Sequence, residues 1–435
     1  MNAIFFAIVL IAFLVAAVRQ VLWDGSGDSA PMDVLATSMI DSAKGSVELA
    51  LGLVGVMALF LGLMKVAERG GLLVIIAKTV RPLMIRLFPD VPPDHPAMGA
   101  IILNISANVL GLGNAATPFG IRAMQELDKL NPHKGTATNA MALFLAINTS
   151  SVTILPTGVI ALRAAAGSTD PAGIVPTTLF ATICSTAVAI TTAKLLQRRF
   201  PAKPLPPDEQ PEDGDEAAAE TEPTEVPAME GADQAYPGWV STLVLGLIAA
   251  FIPLTIYYGS AIAPWIIPGL MVGLLGFGVA KRVRVYEAFV EGGKEGFQVA
   301  LRIIPYLVAI LVAVGMFRAS GALELLIKPL GAITNLIGLP PEALPMALLR
   351  PLSGSGAYGV MASIIEDPAI GPDSYTGYLV STLQGSTETT FYVLAVYFGA
   401  VQIRRIRHAL AAGLSADVAG VIAAVLICSL LYGSL

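Results

Sequence analysis

The landmarks of this chain occur twice. KGSVELAL at 44–51 returns as KEGFQVAL at 294–301, Gly71-Leu72-Leu73 as Gly321-Ala322-Leu323, Arg81-Pro82-Leu83 as Lys328-Pro329-Leu330, and Val91-Pro92-Pro93-Asp94 as Leu339-Pro340-Pro341-Glu342. A duplicated unit restricts the fold to arrangements in which two like bodies share one architecture. The solvent narrows it further. Of 435 residues 55% are hydrophobic and only 13% charged, and the mean hydropathy is +0.73. That lies far outside the soluble globular range, so lipid is the medium for most of the chain.

The net charge of −6 does not describe the bulk of the molecule. Residues 201–237, rich in Pro and Glu and poor in aliphatics, hold many of the acids and read as a self-repelling disordered linker. No basic patch suggests nucleic acid. Cys184 and Cys428 fall inside apolar segments, and His95, His133 and His408 are scattered. Neither a disulfide framework nor a metal site is indicated, no cofactor is called for, and no nucleophile, base and orienting group can be assembled into an enzyme site.

Apolar runs at 3–22 and 47–67 read as membrane helices, with an amphipathic surface segment at 32–48 between them. Residues 72–88 carry Lys78, Arg81 and Arg86 and are expected to lie along the interface. The short run 97–118, interrupted by Gly111 and Gly113, is expected to be a re-entrant half-helix, because irregular backbone at membrane depth survives only beside a cavity or inside protein. Crossings follow at 140–166 and 173–196, then at 239–258 and 262–280 beyond the linker. The half-helix recurs at 344–361 and a further crossing at 375–402.

Lys and Arg placement orients these runs, since short cytoplasmic loops collect them. If Lys194/Arg198/Arg199, Lys281/Arg282/Arg284 and Arg404/Arg405/Arg407 share the cytoplasmic side, both re-entrant segments must enter and leave from one face each. The extra span at 239–258 then turns the second half upside down. The expected fold is an all-α polytopic membrane protein of two inverted-topology repeats, each with about four spans plus a re-entrant half-helix, joined by that extra span. The organisation is a first repeat at 1–200, the linker at 201–237 on the cytoplasmic side, the linking helix at 238–258 and the second repeat at 259–435.

Two crossings carry polar knots at their centres: Asn148-Thr149-Ser150-Ser151-Val152-Thr153-Ile154, before Pro156, and Gly385-Ser386-Thr387-Glu388-Thr389-Thr390-Phe391. Polar groups at this depth cost free energy unless they face a partner or a cavity, so the pair reads as two halves of one site. Candidate substrate-binding groups are Asn148, Ser150 and Thr153 in the first knot and Gln384, Ser386, Thr387 and Glu388 in the second. Asn104, Asn108 and Asn114 in the first re-entrant segment and Ser353 and Ser355 in the second complete the set. The ordinary alternative is that the hydroxyls bond back to their own helices and the Asn residues cap the break. Glu388 is the expected charge-coupling residue, against the reading that it is a structural partner of Arg350, which would itself either steer an anion or snorkel to the interface.

The first half resembles spore maturation protein A through GLVGVMALFLGLMKVAE, FPDVPPDHPAMGAIILN, NVLGLGNAATPFGIRAMQELDKLNP and TATNAMALFLAINTSSVTILPT. The second resembles spore maturation protein B through RPLSGSGAYGV and STLQGSTETTFYVLAVYFG. The chain is thus similar to the spore maturation A/B family with its two members fused, the group of nucleoside recognition or gate domains. More distantly it resembles the gate domains of the ferrous iron transporter B membrane region. The resemblance implies a transport-type fold in a bacterial cytoplasmic membrane. The expected function is transport of a small polar or anionic solute, coupled to a proton or sodium ion, with the lipid bilayer as surroundings and a homo-oligomer as an open arrangement. The rival is a non-transporting scaffold or sensor that acts through a partner in envelope or spore maturation.

Overall fold

The structure, a computed structural model, describes residues 2–25, 29–204, 235–323, 325, 334 and 337–433. The linker is outside this set except at its two ends. The described chain is helical: α1 Asn2–Val21, α2 Pro31–Arg69, α3 Leu72–Leu87, α4 Pro96–Val109, α5 Gly113–Lys129, α6 Asn139–Ser150, α7 Thr157–Ala165, α8 Ile174–Leu196, α9 Gly238–Ala280, α10 Val285–Ala319, α11 Leu344–Leu349, α12 Gly354–Ile365, α13 Tyr375–Ser386, α14 Thr390–Gly399 and α15 Ala409–Tyr432. Among the described residues the sole extended pairing is one bridge between Thr136 and Arg405.

Among the described residues four helices are long and apolar enough to cross a bilayer, α2, α8, α10 and α15. They form two pairs, and each pair joins a helix of the first repeat to its counterpart in the second. Along α2 and α10, Lys65 meets Glu295, Gly296 lies on Met57 and Ala58, and Gly315 lies on Ser42. Position numbers rise on one helix as they fall on the other, so the two run antiparallel. The same holds for α8 and α15, where Gly173 O accepts from Tyr432 Oη at 2.8 Å and Ser185 Oγ donates to Ala416 O at 2.8 Å. Antiparallel packing of corresponding helices is the geometry of inverted repeats.

Several expectations need correction. Residues 32–48 are not a separate surface segment: they continue into 47–67 as the single 39-residue α2. Their polar positions do not interrupt it, because α1 and α10 pack on this part of the helix, Ala12 and Ala16 with Met316 around Leu35 and Gly315 on Ser42. Residues 97–118 and 344–361 are not single half-helices. Each is part of a helical hairpin, α4–α5 and α11–α12, with its tip at 110–112 and 350–353 respectively. The crossings 140–166 and 375–402 are each cut in two, into α6 and α7 and into α13 and α14. With 12 and 9 residues in one and 12 and 10 in the other, every piece spans about half a bilayer. Residues 239–280 form two helical stretches that meet at the non-helical Tyr258 within α9.

Local chemistry fixes where these pieces begin. Thr138 accepts from Met141 N at 3.1 Å at the start of α6, and Ser374 accepts from Gly377 N at 3.0 Å at the start of its counterpart α13. Pro156 ends the first break by preceding α7. Gly111 takes a left-handed φ of 75° at the first hairpin tip, where a Cβ would collide with Leu155 O.

The loops tie the repeats together at opposite ends. Arg404 N and Arg405 N both donate to Gly135 O, while Ala137 N donates to Arg405 O at 3.0 Å. Arg407 holds Ala137 O and Asn139 Oδ1. Lys194 donates to Leu87 O at that end as well. Two of the basic groups that charge placement put on one side, at 194–199 and 404–407, therefore meet at one end of the bundle, where Arg407 Nε also donates to Phe200 O at 2.7 Å. At the other end Arg163, fully buried, donates to Pro372 O at 2.6 Å, Asp170 O at 3.1 Å and Asp373 Oδ1 at 3.0 Å. Its guanidinium lies 4.2 Å from the centre of the Tyr378 ring, which stacks on Tyr432.

Candidate functional site

A broken helix frees carbonyls at the end of its first piece and N–H groups at the start of its second. Here the two hairpin tips close over the two breaks and take up part of that demand. Ile154 N, in the first break, donates to Val109 O at the α4–α5 tip at 3.0 Å, and Phe391 N donates to Pro351 O at the α11–α12 tip at 3.1 Å. The breaks also touch each other: Glu388 N donates to Thr149 O at 2.7 Å. Residues of both repeats thus converge on one place.

The space between them is a cavity of about 240 Å³ lined by Asn108, Ser151, Thr153, Arg350, Gln384, Thr387 and Glu388, with the Gly111 and Gly354 backbones beside them. Arg350, 6% exposed, does not snorkel. Its Nε donates to Gln384 O at 3.0 Å, its Nη2 to Thr387 O, and its Nη1 to Thr389 Oγ1 at 3.0 Å. The guanidinium therefore caps the negative end of α13, where unpaired carbonyls and the helix dipole attract a cation. Glu388 Oε2 is 3.7 Å from Arg350 Nη2, and its side chain is 52% exposed, opening into the cavity. Both readings of Glu388 meet in this geometry, since it faces the structural arginine and an accessible space at once.

The first break is neutral. Asn148 Oδ1 accepts from Asn108 Nδ2 at 3.0 Å and from Tyr397 Oη at 3.4 Å, while its own Nδ2 donates to Phe144 O at 3.0 Å. Asn148 orients Asn108, which reaches the cavity, and does not line it. Thr186 Oγ1 donates to Ser150 O at 3.0 Å and so caps the end of α6.

Of the expected site residues, Asn108, Thr153, Arg350, Gln384, Thr387 and Glu388 are brought together around the cavity. The others are placed elsewhere. Asn104 is buried within its hairpin, donating to Ala116 O at 2.7 Å and to Tyr397 Oη at 3.3 Å. Ser150 turns back to Ala146 O and Ser386 to Leu383 O, as hydroxyls on membrane helices commonly do. Ser353 caps α12 through Gly356 N, and Ser355 is exposed away from the cavity. The side chain of Asn114 lies outside the described residues.

Three participants escaped the sequence reading. Tyr397 lies in the aromatic run after the second knot and crosses to Asn104 and Asn148 of the first repeat. Gly120 admits its ring, because a Cβ there would collide with it. Arg163 is a lone cation in an apolar run, and Asp417 is a lone acid in α15, 5% exposed. An intramembrane charge is the signal that could have found the last two. Behind Asn108 and Ser151 a larger, mostly apolar chamber of about 660 Å³ runs between α3, α4, α8 and α9.

Residues 50–166 and 300–404 both match the Gate family, described as nucleoside recognition. Spore maturation protein B of Bacillus subtilis (strain 168) is 51% identical over 168 residues, 39% of this chain and 93% of that protein. Spore maturation protein A of the same organism is 48% identical over 153 residues, 35% of this chain and 78% of that protein. Among solved structures, CNTnw in an inward-facing substrate-bound state superposes with a TM-score of 0.45 at 13% identity, over 99% of this chain and 91% of that one. A double variant of CNTnw in an outward-facing state gives 0.46 at 12% identity, over the full length of both. With the family matched once in each repeat and two curated relatives near half identity, the chain belongs to the Gate family of nucleoside recognition domains.

Proposed function

We propose that this chain is a multi-pass transporter of a small polar or anionic solute, bound in the cavity between the two hairpin tips and the two helix breaks. One observation carries the reading: the cavity is shared by residues of two antiparallel repeats, and each repeat contributes one interrupted helix to it. A site built at such a seam can be opened toward either face by moving one repeat against the other, without rebuilding the ligand contacts. Arg350 supplies the positive charge for an anionic group, Glu388 an exposed carboxylate for a cation, proton or hydroxyl, and Asn108, Thr153 and Thr387 neutral donors and acceptors. Nucleosides, named in the family description, are one solute class to test, and small carboxylates and phosphate are another.

Purified full-length protein in proteoliposomes, offered radiolabelled nucleosides, small carboxylates and inorganic phosphate in turn, should accumulate one of these classes. Glu388→Gln and Asn148→Ala should abolish that uptake while the melting profile shows a folded protein. If both variants transport as wild type, or if no class enters and deleting 201–237 alone alters the cell, the scaffold reading takes its place.

A further inference from the structure

The α13–α14 break is approached by a second carboxylate from the side away from the cavity. Asp417 Oδ2 accepts from Thr390 Oγ1 at 2.6 Å, and its Oδ1 is buried with no hydrogen-bond partner. The approach is close because glycines stand on the same helix near it. A Cβ on Gly413 would lie 2.8 Å from Thr390 Cγ2, and one on Gly420 would lie 2.9 Å from Thr387 Cγ2. The α15 backbone is thus pressed against the break and brings its only acid to it.

The charges around this break do not balance. Among the described residues Arg350 is the buried cation at this break, and it already faces Glu388 at 3.7 Å. Among the described residues, the other side chains against this stretch of α15 are hydroxyls: Ser386 and Thr387 end α13, Thr390 begins α14, Ser185 comes from α8 and Thr149 from α6. With the one guanidinium facing Glu388, which is half-exposed to the cavity, an ionised Asp417 would be a buried negative charge without a cation of its own, which is unfavourable away from water. An orphaned carboxylate oxygen supplies the natural remedy, since a proton there removes the charge and needs no further cation.

We propose that Asp417 is a proton-binding site of this protein, protonated while Arg350 is committed to Glu388 and able to release its proton when an occupant of the cavity neutralises Glu388 and frees the guanidinium. No bond other than O–H is made or broken: the proton leaves Oδ1 for water, and the negative charge left on Asp417 is then met by Arg350. That this proton drives solute movement rests on the transporter reading, whereas the proton site itself does not.

Infrared titration of the full-length protein in lipid nanodiscs tests the site directly. Wild type should show the carbonyl band of a water-excluded carboxylic acid, lost in Asp417→Asn and, in Glu388→Gln, titrating away at lower pH than in wild type, because Arg350 is then free to meet the Asp417 carboxylate. Absence of the band in wild type, or its persistence in Asp417→Asn, overturns the proposal. Should Asp417→Asn fail to fold, Thr390→Val serves instead: losing the donor to Oδ2 should shift the band to higher frequency, and an unmoved band again overturns it. A separate arm imposes a pH gradient on proteoliposomes that accumulate a solute. Wild-type accumulation should follow the gradient and that of Asp417→Asn should not. If wild type accumulates nothing while the band behaves as expected, the transporter reading fails and the proton site stands.

Discussion

The two helix breaks occupy corresponding places in the two repeats and meet a hairpin tip in the same way, yet their chemistry differs. At the first, the carbonyl end of α6 is satisfied by the Thr186 hydroxyl on Ser150 O and by the Glu388 backbone N–H on Thr149 O, and the Asn148 amide packs against Asn108, all neutral groups. At the second, the carbonyl end of α13 is held by Arg350, with Glu388 and Asp417 around it. Duplication supplied a symmetric frame, and substitution made one half the polar neutral wall and the other the charged one. A symmetric frame is what lets a site face two ways, while unequal charge lets it distinguish and couple what it binds.

This contrast predicts unequal costs for removing the group that holds each break. Arg350→Met leaves the α13 carbonyls unpaired and Glu388 without its cation, so it should cost about 3 kcal/mol or more, read from denaturant unfolding in detergent. A loss near zero would mean that the charge is dispensable to the frame. The first repeat also owns a buried arginine, but at the far end of α7 where the two repeats are clasped. Arg163→Lys should cost about 2 kcal/mol, because one ammonium cannot reproduce the fork that reaches Pro372, Asp170 and Asp373 together. Recovery of wild-type stability by lysine would show that charge alone is needed there. Asn148→Ala, at the neutral break, should cost about 1 kcal/mol, in line with hydrogen bonds inside membrane bundles. Were it to destabilise as much as Arg350→Met, the two breaks would be energetically alike and the contrast would collapse.

The smallest effect belongs to the carboxylates in the clasp loops. Burial raises Asp373, but hydrogen bonds from Ser168 and Thr169 and the charge of Arg163 outweigh it, so the group titrates below its ordinary range. Its stabilisation is present above the unfolded carboxylate value and is lost as pH falls through the lower folded one. Asp170 is shifted upward, by burial first, with Arg163 opposing. Its sign is opposite, since stability is gained as pH falls through its raised value. Thermal melts against pH should therefore pass through a shallow maximum near the ordinary carboxylate range, about pH 4. Asp373→Asn should remove the acid limb of that curve, and an unchanged limb would exclude this ion pair as its source.

The double landmark pattern and the Lys and Arg groupings were enough to reach the inverted frame, because a bilayer confines charge to its two faces and so writes sidedness into a linear sequence. The polar knots and Pro156 marked where the crossings are interrupted. The sequence had both re-entrant segments enter and leave by one face, but it did not reveal that the returning arm of the first is the packed helix α5, since α5 is polar along much of its length and reads as surface while it packs on α4 and reaches Tyr397. Nor did it separate Asn108, which reaches the cavity, from Asn104, which shares its helix and is spent on Ala116 and Tyr397.

The sequence by itself determined the medium, the duplication, the relative orientation of its halves and the two places where the chain is interrupted, all of which depend on hydropathy and charge read along one dimension. Tertiary structure alone decided that Arg350 turns inward to a helix end, that Glu388 opens into a cavity, and that Asp417 arrives from behind on α15. The physical reason is that the free energy of a buried charge depends on its partners, and here those partners lie 27 to 39 positions away.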